Sequence, residues 1–265
     1  MADTIDQAPG GGPSWSRRGR GDLPLLIAHR GASAIEPENS LAAFGRARSD
    51  GADGVELDVL LCATGEVIVF HDDDLIRLGD SPARIGDLSL ADVRAVRLRS
   101  GATIPTLEEV LEACGPSLLI NVELKATGLA SAPLRALADR VADVIVRGRA
   151  GTAARVLVSS FNPRAVRIWR QRMPEVRAGL LCEQASPLPL RRAWALPWVR
   201  PFSVHPEGVL CTARAVRGWH GRGYRVAVWT VDDARALRCF ADLGVDAVIT
   251  NDPARSRQLL SGSAP

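Results

Sequence analysis

From about residue 23 onward the chain alternates short apolar runs with longer stretches whose apolar positions recur every three or four residues. The short runs are Leu25–Ala28, Gly54–Leu60, Leu118–Leu124, Arg155–Ser159, Ala178–Leu181, Phe202–His205, Val226–Thr230 and Ala247–Thr250. All are rich in Val, Ile or Leu, as is a parallel strand covered on both faces. Helices are predicted between them, at Ser40–Ser49, Thr106–Ala113, Pro133–Arg147, Pro163–Arg172, Ala213–Gly221, Ala234–Leu243 and Pro253–Leu260. Asn39 is placed to cap the first of these. Asn162-Pro163 and Asp252-Pro253 each set a cap before a proline at the first helical position. Gly51 and Gly244 stand where a left-handed residue ends a helix. Such alternation predicts an α/β fold, either a (β/α)8 TIM barrel or a doubly wound sheet, and the count of eight strands favours the barrel.

Three stretches break the rhythm. Glu66–Phe70 is an extra apolar run close behind the second strand, separated by Ala63-Thr64-Gly65, and is expected to form a strand pair or an extension at the barrel rim. Residues 72–103 lack a strong period and read as a small excursion above the barrel; a loop of this length in a compact domain usually serves function. Pro187, Pro189 and Pro197 interrupt the fifth helix. Residues 1–22 read as a flexible tail, leaving residues 23–265 as a single domain.

Composition narrows the function. A chain of 265 residues with 46% hydrophobic residues can bury a large core. A net charge of +3 is weak, and the densest basic spot, Arg17-Arg18-Gly19-Arg20, lies in the tail, so no nucleic-acid partner is expected. No apolar run approaches the ~20 residues of a transmembrane segment. The five cysteines are widely spaced with no Cys-x-x-Cys pair, which predicts free thiols in a reducing compartment. The N-terminal stretch fits an export signal poorly, and a cytoplasmic location is expected.

In a barrel, chemistry collects at the C-terminal ends of the strands. His29-Arg30-Gly31 ends the first strand, and His71-Asp72 ends the extra run. His205, Trp229-Thr230 and Thr250-Asn251 close the last three strands. Glu56 and Asp58, at i and i+2, share one face of the second strand, and Glu123 and Lys125 repeat that geometry on the third. Charged residues within apolar strands are costly unless paired or metal-bound. Three carboxylates make a hard oxygen site for one divalent cation, Mg²⁺, Ca²⁺ or Mn²⁺ rather than zinc. Two histidines suit general acid–base work. Arg30 and Lys125 supply positive charge for an anionic substrate. Of the 33 basic residues, 32 are arginine and Lys125 is the only lysine, which fits a position needing a compact ammonium. Together these groups suit hydrolysis of a phosphoryl ester. There is no P-loop, G-x-G-x-x-G or G-x-S-x-G motif to suggest nucleotide binding or a serine hydrolase.

The motifs also resemble those of a known family. His29-Arg30-Gly31 is followed by Pro37-Glu38-Asn39-Ser40 with Ala43-Phe44, by Gly51-Ala52-Asp53-Gly54-Val55-Glu56-Leu57-Asp58-Val59, and by Val69-Phe70-His71-Asp72. Ile104–Leu111, Val122-Glu123-Leu124-Lys125, Ser159-Ser160-Phe161, Val228-Trp229-Thr230-Val231 and Gly244–Pro253 complete the series. Over about residues 25–260 the sequence resembles glycerophosphodiester phosphodiesterases of the bacterial, cytoplasmic type. The resemblance implies a TIM barrel that hydrolyses small-molecule glycerophosphodiesters to glycerol 3-phosphate and an alcohol. It implies Glu56, Asp58 and Glu123 as metal ligands, His29 and His71 as the acid–base pair, and Arg30 and Lys125 as phosphate contacts. It also makes Trp229 a wall for the glycerol or alcohol part, where the plain alternative is a core aromatic. His29 would activate the nucleophile, either water or the substrate's own glycerol hydroxyl, and His71 would protonate the leaving alkoxide. The sequence departs from the family at Ala63-Thr64-Gly65-Glu66, at Arg77-Leu78-Gly79-Asp80 and at Asp232, which bears on substrate choice more than on reaction class. Two alternatives remain. One is a lysophospholipase D-like activity on longer lipid phosphodiesters, favoured if Trp194, Leu196, Pro197 and Trp198 form an apolar patch at the rim. The other is a catalytically silent barrel acting as a binding module.

Overall fold

The structure, a computed structural model, describes residues 14–15, 22–126, 128 and 130–262. In chain order the first half holds β1 (Leu25–His29), α1 (Leu41–Ser49), β2 (Gly54–Leu61), β3 (Val67–Val69), β4 (Asp74–Leu75), α2 (Ile76–Gly79), β5 (Ser81–Arg84), α3 (Leu90–Ala95), α4 (Leu107–Cys114) and β6 (Leu119–Leu124). The second half holds α5 (Ser131–Arg147), α6 (Thr152–Arg155), β7 (Val156–Ser160), α7 (Pro163–Arg172), β8 (Arg177–Cys182), α8 (Leu188–Arg191), α9 (Leu196–Val199), β9 (Ser203–Pro206), α10 (Ala213–His220), β10 (Arg225–Val228), α11 (Ala234–Asp242), β11 (Ala247–Thr250) and α12 (Pro253–Ser261).

β1, β2, β6, β7, β8, β9, β10 and β11 pair in parallel in that order, and β11 pairs back to β1. The sheet is therefore a closed eight-stranded barrel, and each strand coincides within two residues with an apolar run of the sequence. β3 lies antiparallel on β2, as a rim extension. The excursion behind it folds as β4, α2, β5 and α3 over a small core that includes Leu60, Ile68, Phe70, Leu75 and Ile85. The proline-rich stretch yields only two single-turn helices, α8 and α9.

Period-2 alternation divides each barrel strand. Val55, Leu57 and Val59 of β2 and Ile120, Val122 and Leu124 of β6 join Phe44, Leu107, Val141 and Trp169 of the helices in the outer core. Leu25, Ile27, Leu119, Leu157, Ala247 and Ile249 pack together in the barrel interior. On β2 and β6 the positions that alternate with the outer set carry Glu56, Asp58, Asn121 and Glu123, with Asp58 beside Glu123 in register.

One capping expectation is corrected, and most of the expected tail, residues 1–13 and 16–21, lies outside the described residues. Ser40, not Asn39, caps α1: its Oγ accepts a hydrogen bond from the Ala43 amide. Asn39 has φ +55° and sends its side chain inward to Asp58. Both residues are good caps by type, and the buried carboxylate decides which is recruited elsewhere. Trp15, within the stretch expected to be a tail, is 6% exposed. It packs against Leu25, Leu119, Leu157 and Ala247, and its indole N–H donates to the Arg155 carbonyl at 2.8 Å. The indole thus stops the N-terminal end of the barrel.

Candidate active site

At the opposite, C-terminal end a cleft of about 390 Å³ is lined by His29, Arg30, Glu56, His71, Glu123 and Lys125, with Asn121, Phe161, Glu183 and Trp229 among its other walls. Of the residues expected to bind metal or substrate or to move protons, Asp58 alone is not in the lining; it is 1% exposed.

Glu56, Asp58 and Glu123 are buried and bring one carboxylate oxygen each within 4.8 Å of one another. Burial, with the charges of Asp58 and Glu123 alongside, pushes Glu56 well above the usual carboxylate range, and Arg30 offsets only part of this. Burial and Asp58 push Glu123 up to about 7, against the pull of Lys125. Lys125 Nζ stands 3.0 Å from Glu123 Oε1 and 3.5 Å from Asp58 Oδ1. Arg30 Nε is 3.2 Å from Asp58 Oδ2. Burial alone would lower Lys125, but Glu123 and Asp58 hold its pKa above the ordinary value.

These residues fit a divalent cation. Three buried carboxylate oxygens converge, two of them, on Glu56 and Glu123, with raised proton affinity; such a set is short of positive charge, and no thiolate is among it. Asn121 adds a further oxygen: it is 1% exposed, and its Oδ1 has no hydrogen-bond partner. Its place two residues before Glu123 on the same strand face is the signal that reveals it.

The histidines flank this cluster. His29 Nδ1 meets Asn251 Oδ1 at 2.7 Å. Asn251 is itself oriented, because its Nδ2 donates to Asp232 at 2.5 Å, and Ser33 Oγ donates to its Oδ1 at 2.9 Å. Asp232 accepts only, so the Asn251 oxygen faces His29, and His29 Nδ1 must carry the proton. Nε2 is then the basic nitrogen, 4.0 Å from Glu56. Burial and neighbouring Arg30 lower the pKa of His29, opposed in part by Asn251. His71 Nδ1 is bound to Asp72 Oδ1 at 2.5 Å.

The first loop is shaped by its backbone. Arg30 has φ +55° and donates its amide to Glu56 at 3.1 Å. Gly31 has φ +83°, and a Cβ there would lie 2.6 Å from the Ala43 backbone, so only glycine fits. The far wall is aromatic. Phe161 and Trp229 meet edge to face at 5.5 Å, and Trp229 Nε1 donates to the His205 carbonyl at 2.8 Å. Trp229 thus lines the cleft and also packs against the barrel-interior cluster.

His205, also read as a strand-end residue, is absent from the cleft. It is buried in the barrel beside Ser203, at 2.8 Å, over the space that Gly179 leaves, and burial lowers its pKa to about 4. Neither tryptophan of the proline-rich stretch is among the residues that line the cleft. Pro197, beside Trp198, lines a separate groove with Arg177, Phe202 and Arg225, at the N-terminal ends of β8–β10. Leu196 is buried, while Trp194 and Trp198 are 59% and 48% exposed.

A model of the glycerophosphoryl diester phosphodiesterase family matches residues 29–255. The chain belongs to that family. It is thereby an enzyme of the phosphoric diester hydrolase class. It is 32% identical to a glycerophosphodiester phosphodiesterase of Caldanaerobacter subterraneus subsp. tengcongensis, over 86% of this chain and 94% of the relative. It is 32% identical to probable glycerophosphodiester phosphodiesterase 2 of Mycobacterium tuberculosis, over 86% and 87%. Among solved structures it is similar to an Oleispira antarctica phosphodiesterase in complex with its product sn-glycerol-3-phosphate. The TM-score is 0.81 at 28% identity, covering 90% of this chain and 97% of that one. A glycerophosphodiester phosphodiesterase of Thermotoga maritima has a TM-score of 0.74 at 28% identity, covering 90% and 99%. No helix among the described residues of the enzyme is long and apolar enough to cross a membrane.

Proposed function

We propose that the enzyme hydrolyses small glycerophosphodiesters to glycerol 3-phosphate and an alcohol, using one divalent cation, Mg²⁺, Ca²⁺ or Mn²⁺, held by Glu56, Asp58 and Glu123. The observation that carries this reading is the pairing of two histidines, each tied through Nδ1, with a buried three-carboxylate cluster at one cleft. The product bound to the Oleispira antarctica relative supports the substrate class. When bound, the cation supplies a Lewis acid that offsets charge on the phosphodiester.

The remaining steps belong to the protein. Arg30 and Lys125 add positive charge at the phosphate. The two histidines differ in their partners, and that difference separates their roles. His29 rests on a neutral amide, is held neutral by burial and presents a basic Nε2. It takes the proton of the attacking hydroxyl. His71 rests on a carboxylate, which compensates the charge of a ring carrying a proton to donate. It protonates the departing alkoxide as the phosphorus–oxygen bond to the alcohol breaks and that to the attacking oxygen forms. Phe161 and Trp229 wall the organic part of the substrate. The exposed tryptophans are not among the residues that line the cleft, so they lend no support to longer lipid diesters as preferred substrates. The five free thiols support a cytoplasmic location.

The test is the kinetics of glycerophosphocholine hydrolysis by His29→Ala and His71→Ala. Each variant is expected to lose about 10²–10⁴-fold in kcat with little change in KM. Wild-type kcat in either variant would remove that residue from the chemistry.

A further inference from the structure

The excursion between β3 and α4 supplies no wall of the cleft beyond His71, yet it carries one side chain that touches both halves of the site. Arg77, on α2, donates from Nη1 and Nη2 to the two oxygens of Glu38, at 2.9 and 2.8 Å. Its Nε donates to Asp72 Oδ2 at 2.6 Å. Glu38 Oε1 also accepts from Arg30 Nη1 at 2.8 Å. Asp72 Oδ1 holds His71. The contacts run without a break from Arg30 through Glu38, Arg77 and Asp72 to His71. Two segments far apart in sequence, the loop after β1 and the loop after β3, are thereby locked in one geometry.

We propose that Arg77 is a positioning residue that fixes His71 against the phosphate-facing Arg30, and that carrying it is the work of the excursion. The proposal rests on the reading of His71 as the proton donor. Only a guanidinium presents three N–H groups in a plane to two carboxylates at once; an ammonium on a flexible stem cannot. The backbone under Arg77 is held as well. Leu75 is buried beneath α2, the Arg99 amide donates to the Leu78 carbonyl at 2.8 Å, and the Arg99 side chain bonds the carbonyls of Ile76 and Arg77. Burial would raise Glu38, but Arg77 and Arg30 outweigh it and hold its pKa at about 2, so it stays an anion bridging two cations.

The Arg77 side chain is 45% exposed. Ion pairs this open contribute little to stability. Its loss is therefore expected to leave the melting temperature nearly unchanged while the donor drifts from its target.

The experiment compares two glycerophosphodiesters. Glycerophosphocholine releases an alkoxide that needs a proton; the p-nitrophenyl ester of glycerol 3-phosphate releases a phenolate that does not. His71→Ala is expected to lose most of its kcat on the first ester and little on the second. Arg77→Gln is expected to follow that pattern, losing about 10- to 100-fold in kcat on glycerophosphocholine, with KM nearly constant and the aryl ester spared. Arg77→Lys should restore little. Asp72→Asn breaks the same chain one contact nearer His71 and carries the test if Arg77→Gln does not fold. Equal losses on both esters, or none, in Arg77→Gln while His71→Ala shows the split would overturn the positioning role alone. If His71→Ala itself shows no split, the proton-donor assignment falls and the role of Arg77 falls with it.

Discussion

Replacing Glu123 with glutamine probes the electrostatics on which the metal reading depends. Glu123 is buried on β6, within reach of Glu56 and Asp58. Its pKa of about 7 stands above the 4.5 of an ordinary glutamate. The folded state therefore holds a proton that the unfolded chain releases above pH 4.5. Stability falls as pH rises through this window, and the full cost is present above pH 7. At 1.36 kcal/mol for each tenfold in proton affinity, the gap amounts to about 3 kcal/mol. Lys125 loses a partner in the variant, which returns part of that gain. In EDTA at pH 8, Glu123→Gln should thus be more stable than the wild type by about 1–3 kcal/mol, a rise of roughly 2–8 °C in Tm. At pH 5 the difference should nearly vanish. A cation at a hundred times its Kd should stabilise the wild type by about 2.7 kcal/mol, and the variant far less. Differential scanning calorimetry at both pH values, with and without cation, reads all of this. A variant less stable than the wild type in EDTA at pH 8 would rule out a strained Glu123 carboxylate, and one with the full cation response would remove Glu123 from the cation site.

Three further outcomes are expected. Because burial and Arg30 lower His29, and the base must be unprotonated, kcat/KM should fall with decreasing pH on a limb whose midpoint lies below 6.5; a midpoint above that value would contradict a buried neutral base. Trp15→Ala should cost about 3 kcal/mol in chemical denaturation while kcat/KM stays unchanged; equal stability would show that the indole does not close the barrel. Gly31→Ala forces a Cβ to 2.6 Å from the Ala43 backbone at φ +83°, and should both lower Tm and reduce kcat/KM by displacing Arg30; wild-type activity would mean that this turn is not fixed by sterics.

The barrel and the carboxylate cluster were legible because each rests on a local period. Val-, Ile- and Leu-rich runs name the strands, and i, i+2 spacing places Glu56 with Asp58 and Glu123 with Lys125 on shared faces. Asn121 obeys the same spacing, but an amide carries no charge that would mark it as costly within an apolar strand. What stayed hidden depends on contacts between distant segments. Asn39 and Ser40 are equally good caps until Asp58 is placed beside one of them. Asp232 reads as a rim substitution until its hydrogen bond orients Asn251, and through it His29. Arg77 and Glu38 lie 39 residues apart, and no periodicity predicts their meeting. Alternation gives the side of a strand on which His205 stands, not its depth within the barrel. Trp15 follows a Gly- and Pro-rich stretch, whose composition predicts nothing of where a single indole docks.

The proposed activity is cation-dependent cleavage of glycerophosphodiesters. Its most direct test is release of glycerol 3-phosphate from glycerophosphocholine and glycerophosphoethanolamine, first in EDTA and then with Mg²⁺, Ca²⁺ or Mn²⁺ restored. No release is expected in EDTA, and recovery is expected with at least one ion. Undiminished release in EDTA, or none with any ion from folded enzyme, would contradict it.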